Sequence, residues 1–120
     1  LPELEEILEP YKITYTIAGH VGDGNFHIIP LMNLSKKESR QIIPELSKKV
    51  YDLTFKYKGS MSAEHNDGLI RTPFIKQMYG SDIYKLFKQT KKIFDPKNIF
   101  NPGKKVGGSI SYTLSHMKKK

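Results

Sequence analysis

At 120 residues, with 38% hydrophobic and 27% charged side chains, the chain fits one small domain of globular rather than disordered composition. The absence of cysteine excludes disulfides, thiolate metal sites and Cys nucleophiles, and no apolar run approaches the length of a membrane span. The net charge of +8, much of it late in the chain, favours anionic partners such as carboxylate substrates, flavin phosphates, nucleic acid or an acidic membrane surface.

The chain begins Leu1-Pro2, with neither an initiator Met nor a signal-peptide pattern, which suggests a piece of a longer protein. Leu4, Ile7 and Leu8 recur at helical spacing among glutamates, and Pro10 breaks that helix. Residues 12–18 (KITYTIA) are β-branched and aromatic and predict a strand; residues 26–31 (FHIIPL) predict a second. Between them lies the glycine-rich cluster Gly19-His20-Val21-Gly22-Asp23-Gly24-Asn25. Ser35 with Glu38 three residues later has the capping-box pattern, and a long helix is expected to about Lys56. Its apolar face is Ile42, Ile43, Leu46, Val50, Leu53 and Phe55, and Pro44 burdens it. Residues 60–65 (SMSAEH) predict a short strand. One helical turn is expected over 73–78 and a longer helix over 81–94. Asp95-Pro96 and Asn101-Pro102-Gly103 are turn signals closing an extended C-terminal segment. The order predicts an α+β fold, a small antiparallel sheet with helices packed on one face.

Two polar clusters carry the chemistry. The first holds His20 and His27 around the glycines; the second is Ser62-Ala63-Glu64-His65-Asn66-Asp67-Gly68. Two imidazoles and a carboxylate form a familiar ligand set for Zn²⁺, and with open positions for Fe²⁺ or Mn²⁺. His20, His27 and Glu64 are therefore the expected ligands. In extended backbone neighbouring side chains point to opposite faces, so His65 is assigned away from the ion as a general base. Arg71 offers a planar fork for a carboxylate, with a structural ion pair equally compatible. Asp23 and Asp67 read as turn-formers, and His116, in the basic tail, as structural.

At these residues the sequence resembles a known family. GHVGDGNFH, SAEHNDGLIR and KKIFDPKNIFNPGK together are similar to the C-terminal domain of the FAD-linked oxidases, the D-lactate dehydrogenase, glycolate oxidase and D-2-hydroxyglutarate dehydrogenase relatives of the vanillyl-alcohol oxidase group. The resemblance covers about residues 12–106. It implies a ferredoxin-like cap domain, here incomplete, over residues 1–106, followed by a basic tail over 107–120. It further implies FAD held mainly by a separate N-terminal domain, a divalent metal at His20, His27 and Glu64, His65 acting on substrate, and Asn25 and Asn101 near the flavin. The SAEHNDGLIRTPF stretch looks closest to members associated with iron–sulfur domains or subunits. Ala63 and Asn66 stand where the family usually has glycine, and Ile28-Ile29-Pro30 follow His27 where some hydroxyglutarate-type members carry an asparagine, which leaves substrate identity open.

The expected activity is oxidation of a D-2-hydroxy acid of D-lactate or glycolate type to the 2-oxo acid, by a longer parent of which this piece alone is inactive. The expected partners are the anionic substrate and the flavin domain, with no nucleic acid. The expected location is cytoplasmic, with peripheral attachment at the inner membrane face left open. The alternatives are a basic nucleic-acid-binding module or a metal-binding interaction domain without chemistry.

Overall fold

The computed structural model describes residues 1–117; Lys118-Lys119-Lys120 of the basic tail lie outside the described residues. The fold is mixed α+β, with a two-stranded antiparallel sheet and helices, in two compact units, residues 1–53 and residues 54–117.

The first unit is built on apolar burial. Helix α1 (Pro2–Leu8) has Pro2 in its first turn, where a missing N–H costs nothing. Pro10 converts its end into a 3₁₀ turn over Glu9–Tyr11, and Lys12 leaves it in a left-handed conformation, φ 48°. Strands β1 (Thr14–Ala18) and β2 (His27–Leu31) pair in the register Tyr15↔Pro30, Ile17↔Ile28 and Ala18↔His27. The period of two therefore places Tyr15, Ile17, Ile28 and Pro30 on one face. Helix α2 (Lys37–Lys56) closes that face. Leu4, Leu8 and Leu46 are buried at the centre, with Ile7, Ile13, Ile17, Ile28, Ile42, Val50 and Leu53 packed around them. Each such aliphatic side chain taken from water contributes about 1.5–3 kcal/mol.

The capping box expected at Ser35 is not what starts α2. The preceding turn is organised by Asn33, whose Oδ1 accepts from Ser35 N (3.0 Å) and whose carbonyl accepts from Lys36 N (3.2 Å). Arg40 reaches back to the Leu34 and Ser35 carbonyls at 2.6 and 2.9 Å, tying the preceding turn to the first turn of the helix. Pro44 sits inside the helix without ending it.

The second unit contains no strand among its described residues. The strand expected over 60–65 is instead a series of bends and turns, because Ala63 (φ 41°) and Asn66 (φ 59°) are left-handed. A single turn, α3 (Gly68–Arg71), passes through a 3₁₀ turn at Thr72–Phe74 into α4 (Ile75–Phe94). Helix α4 is broken at Gly80, whose φ/ψ of 81°/169° is open essentially to glycine alone. The sequence expectation of two separate helices meeting there describes this well. Tyr79 and Phe87 pack edge to face across the break, centroids 5.3 Å apart.

Beyond α4, Asp95 closes a loop. Its carboxylate accepts from Ile99 N (2.9 Å), Phe100 N (3.0 Å) and the Lys91 ammonium. The loop leaves Ile93, Phe94, Ile99 and Phe100 exposed, Phe94 by 80%. The C-terminal segment is not extended as expected. It turns and forms α5 (Ile110–Ser115), capped by Ser109 Oγ, which accepts from Tyr112 N at 3.1 Å. His116 is structural: its Nδ1 lies 2.8 Å from the Tyr112 carbonyl and its ring rests on Tyr112.

Candidate functional site

The first candidate cluster is the hairpin loop of the first unit. Residues 19–26 leave β1 and return to β2 through a 3₁₀ turn at Val21–Asp23, closed by Gly24 in the left-handed region. The His20 carbonyl gathers two N–H groups, from Asp23 (2.9 Å) and Asn25 (3.2 Å), which makes the loop a compact excursion with His20 and His27 at its two ends. Gly19 is required by close approach. A Cβ there would press on the Asn25 carbonyl and lie 3.1 Å from His27 Cδ2, at a φ of 137°. His27 pairs with Ala18, and its parity with Ile29 and Leu31 places it on the sheet face opposite the helices. His20 is exposed, His27 and Asn25 half-buried.

The second candidate cluster is the turn 62–67. Glu64 and His65 are both exposed, with Glu64 Oε1 3.6 Å from His65 Nε2. The premise that they point to opposite faces is corrected here: residues 63–65 form a turn, not extended backbone, and the two side chains stand together. Arg71 donates from Nη1 to the Asn66 carbonyl at 3.2 Å, while its Nε is buried with no hydrogen-bond acceptor. Asn101, left-handed at φ 45°, is exposed in the C-terminal loop.

Asp67 is more than a turn-former. It is completely enclosed, accepts from Ser62 Oγ and pairs with the Lys105 ammonium. Lys105 also reaches Asn66 Oδ1 at 2.8 Å, and its N–H donates to Thr72 Oγ1 at 2.8 Å. Ser62, Thr72 and Lys105 were not singled out by sequence reasoning. A Ser and an Asp five residues apart bracketing Glu-His was the only local signal, and the lysine partner is 38 residues away.

The residues 1–105 match the family described as FAD linked oxidases, C-terminal domain. The chain belongs to that family. Over 104 residues it is 31% identical to the D-2-hydroxyglutarate dehydrogenase of Haemophilus influenzae, covering 87% of this chain and 10% of that protein. It is 39% identical over 92 residues to a probable mitochondrial D-2-hydroxyglutarate dehydrogenase of Oryza sativa subsp. indica, covering 77% of this chain and 16% of the relative. It is 36% identical over 101 residues to the D-lactate dehydrogenase of Archaeoglobus fulgidus, covering 84% and 22%. The chain thus spans between a tenth and about a fifth of the length of these relatives. Among the described residues no helix is long and apolar enough to cross a membrane.

Proposed function

We propose that this chain is the substrate- and metal-binding part of an FAD-dependent enzyme that oxidises a D-2-hydroxy acid, of D-lactate, glycolate or D-2-hydroxyglutarate type, to the 2-oxo acid. What supports it most is the family match over residues that include both polar clusters. The proposed donors, imidazoles at His20 on the hairpin loop and His27 at the start of β2 and the carboxylate of Glu64, are of the kind that hold a divalent ion such as Zn²⁺, Mn²⁺ or Fe²⁺. When bound, such an ion supplies Lewis acidity to the substrate hydroxyl and carboxylate, and FAD, held mainly by the rest of the parent, supplies the two-electron acceptor.

The chain's own residues have separate tasks. His65 takes the hydroxyl proton as C2 is oxidised. Its Nε2 lies 3.6 Å from Glu64 Oε1, so the proposed base and ligand share one turn. Arg71 is the proposed anchor of the substrate carboxylate, for which a guanidinium offers a planar fork. Asn25 and Asn101 face the flavin side. An iron–sulfur domain or subunit is the proposed electron partner, and the proposed location is cytoplasmic.

The test uses the full-length parent, loaded with flavin. Wild type is expected to bleach its flavin on mixing with one of these D-hydroxy acids and to contain a divalent ion by elemental analysis. Replacing His65 by Ala is expected to lower kcat about 10²–10⁴-fold with metal retained. Replacing His20 or Glu64 by Ala is expected to empty the metal site. A His65→Ala enzyme turning over like wild type removes the base; a metal-free, fully active wild type removes the Lewis acid.

A further inference from the structure

Asp67 has no role in the chemistry proposed for Glu64 and His65, yet it is the most deeply enclosed ionisable side chain among the described residues. A turn does not require that. Asp23, in the other loop, forms its turn while exposed. Burying a carboxylate costs several kcal/mol unless it is paired and hydrogen-bonded, so the enclosure at 67 serves something besides the turn.

Its partners show what it holds. Ser62 and Asp67 are joined side chain to side chain across the intervening Ala63-Glu64-His65-Asn66, while His65 N donates to the Ser62 carbonyl at 2.9 Å. The backbone inside this bracket is left-handed at both Ala63 and Asn66, conformations that persist only when surroundings impose them. Asn66 Oδ1 accepts from Asp67 N (3.0 Å) and from Lys105 Nζ (2.8 Å). Arg71 N donates to the Asp67 carbonyl at 3.0 Å, and Thr72 Oγ1 receives Lys105 N. Lys105, 46% exposed, therefore grips the turn from the C-terminal loop by both its side chain and its backbone.

We propose that Asp67 and Lys105 form a positioning latch that fixes the direction of the Glu64 and His65 side chains. The latch does not touch substrate. It rests on the reading of Glu64 as ligand and His65 as base, and it adds that the C-terminal loop, through one ammonium, governs the geometry of both.

The experiment uses the flavin-loaded full-length parent with four variants: Lys105→Met, Lys105→Arg, Asp67→Asn, and the double Asp67→Asn/Lys105→Met. Lys105→Met is expected to lower kcat per bound flavin about ten- to a hundredfold, with KM changed less than about threefold, the size of loss that follows misplacement of a reacting group. Lys105→Arg keeps the charge and is expected to recover most of that loss. The double variant no longer strands a buried carboxylate, so its melting temperature is expected to recover while kcat stays low. Should kcat stay at the wild-type value in all four, or follow melting temperature alone, the latch is a stability element and the proposal fails.

Hydrogen exchange of the His65 amide supplies a readout independent of turnover. Lys105→Met is expected to speed it about tenfold or more relative to amides of α4. Unchanged exchange overturns the latch even if the enzyme reading stands. A wild-type parent that reduces flavin with none of the acids overturns the enzyme reading, and the exchange result then decides the latch by itself.

Discussion

The two units solve the same problem with different materials. In residues 1–53 the buried side chains are all leucines. In residues 54–117 the buried apolar residues Met61, Phe74 and Ile75 are outnumbered by buried polar ones, Ser62, Asp67, Thr72, Asp95 and Thr113. Every one of these accepts or donates at least one hydrogen bond, Thr113 to the Leu69 carbonyl at 2.8 Å and Thr72 to the Gly68 carbonyl among them. An aliphatic core is tolerant of detail, because dispersion and burial have no direction. A polar core specifies geometry, because each unmade bond costs the full desolvation of its group. The unit that carries Glu64 and His65 is the one built that way.

The comparison breaks most sharply at Leu8, which is 1% exposed. Leu8→Ala is expected to destabilise the first unit by about 2–5 kcal/mol through lost burial and a residual cavity, read by denaturant unfolding. The exchange rates of amides in the turn 62–67 are expected to change less than those of β1 and β2. A uniform collapse of protection in both units would show that they do not differ as described.

In the second unit Thr72→Val keeps the shape and removes the hydroxyl that accepts from Lys105 N and donates to the Gly68 carbonyl. The expected loss is about 1–3 kcal/mol, read the same way, because two polar groups are left unmet. A variant as stable as wild type would mean that packing, not bonding, holds this region.

Asp95 gives the comparison a pH axis. The Lys91 ammonium first, then the Ile99 and Phe100 N–H groups, hold its carboxyl below the usual carboxylate range. A carboxylate lowered on folding contributes stability that is present above its unfolded value and lost as pH falls through its folded value. Acid titration of the melting temperature is expected to show a downward slope below the ordinary carboxylate range, and Asp95→Asn to flatten part of it. An identical slope in the variant would assign acid sensitivity to other carboxylates.

The smallest effect is expected at Tyr11, whose hydroxyl donates to Glu45 Oε1 at 2.7 Å on the exposed surface of the first unit. Glu45 lies below the carboxylate range because of that hydroxyl and Lys49. Tyr11→Phe is expected to cost no more than about 1 kcal/mol, since water replaces an exposed bond. A larger cost would place a polar contribution where the structure shows an apolar core.

The first unit was legible in the sequence because its rules are local. Alternation in 12–18 and 26–31, the Gly-Asp-Gly-Asn turn and the aliphatic spacing in α1 and α2 each depend on residues a few positions apart. The separation of a helical turn over 73–78 from a helix over 81–94 was expected, although Gly80 was not named as the break. The turn 60–65 was not legible. Met61 and the small residues around it suit a strand, and the left-handed Ala63 and Asn66 are imposed from outside the segment by Asp67 and the distant Lys105. Helix α5 could have been found. Ser109 before Ile110-Ser111-Tyr112 is an ordinary N-cap signal, hidden only by the turn-rich stretch ahead of it. The proposed ligand and base residues stood out by chemistry, whereas Asp67 and its partners did not, since they are defined by burial.

The break at Gly80 divides α4 into a five-residue and a fourteen-residue stretch that share no continuous ladder. Helix formation is cooperative and short segments are weak by themselves. Residues 75–79 must therefore draw their order from the buried Ile75 and Phe74 beside them, whereas residues 81–94 can propagate order along their own length. On warming, the two stretches would melt as separate segments, so a spectroscopic probe at Tyr79 and another at Phe94 would record different midpoints along one run of chain.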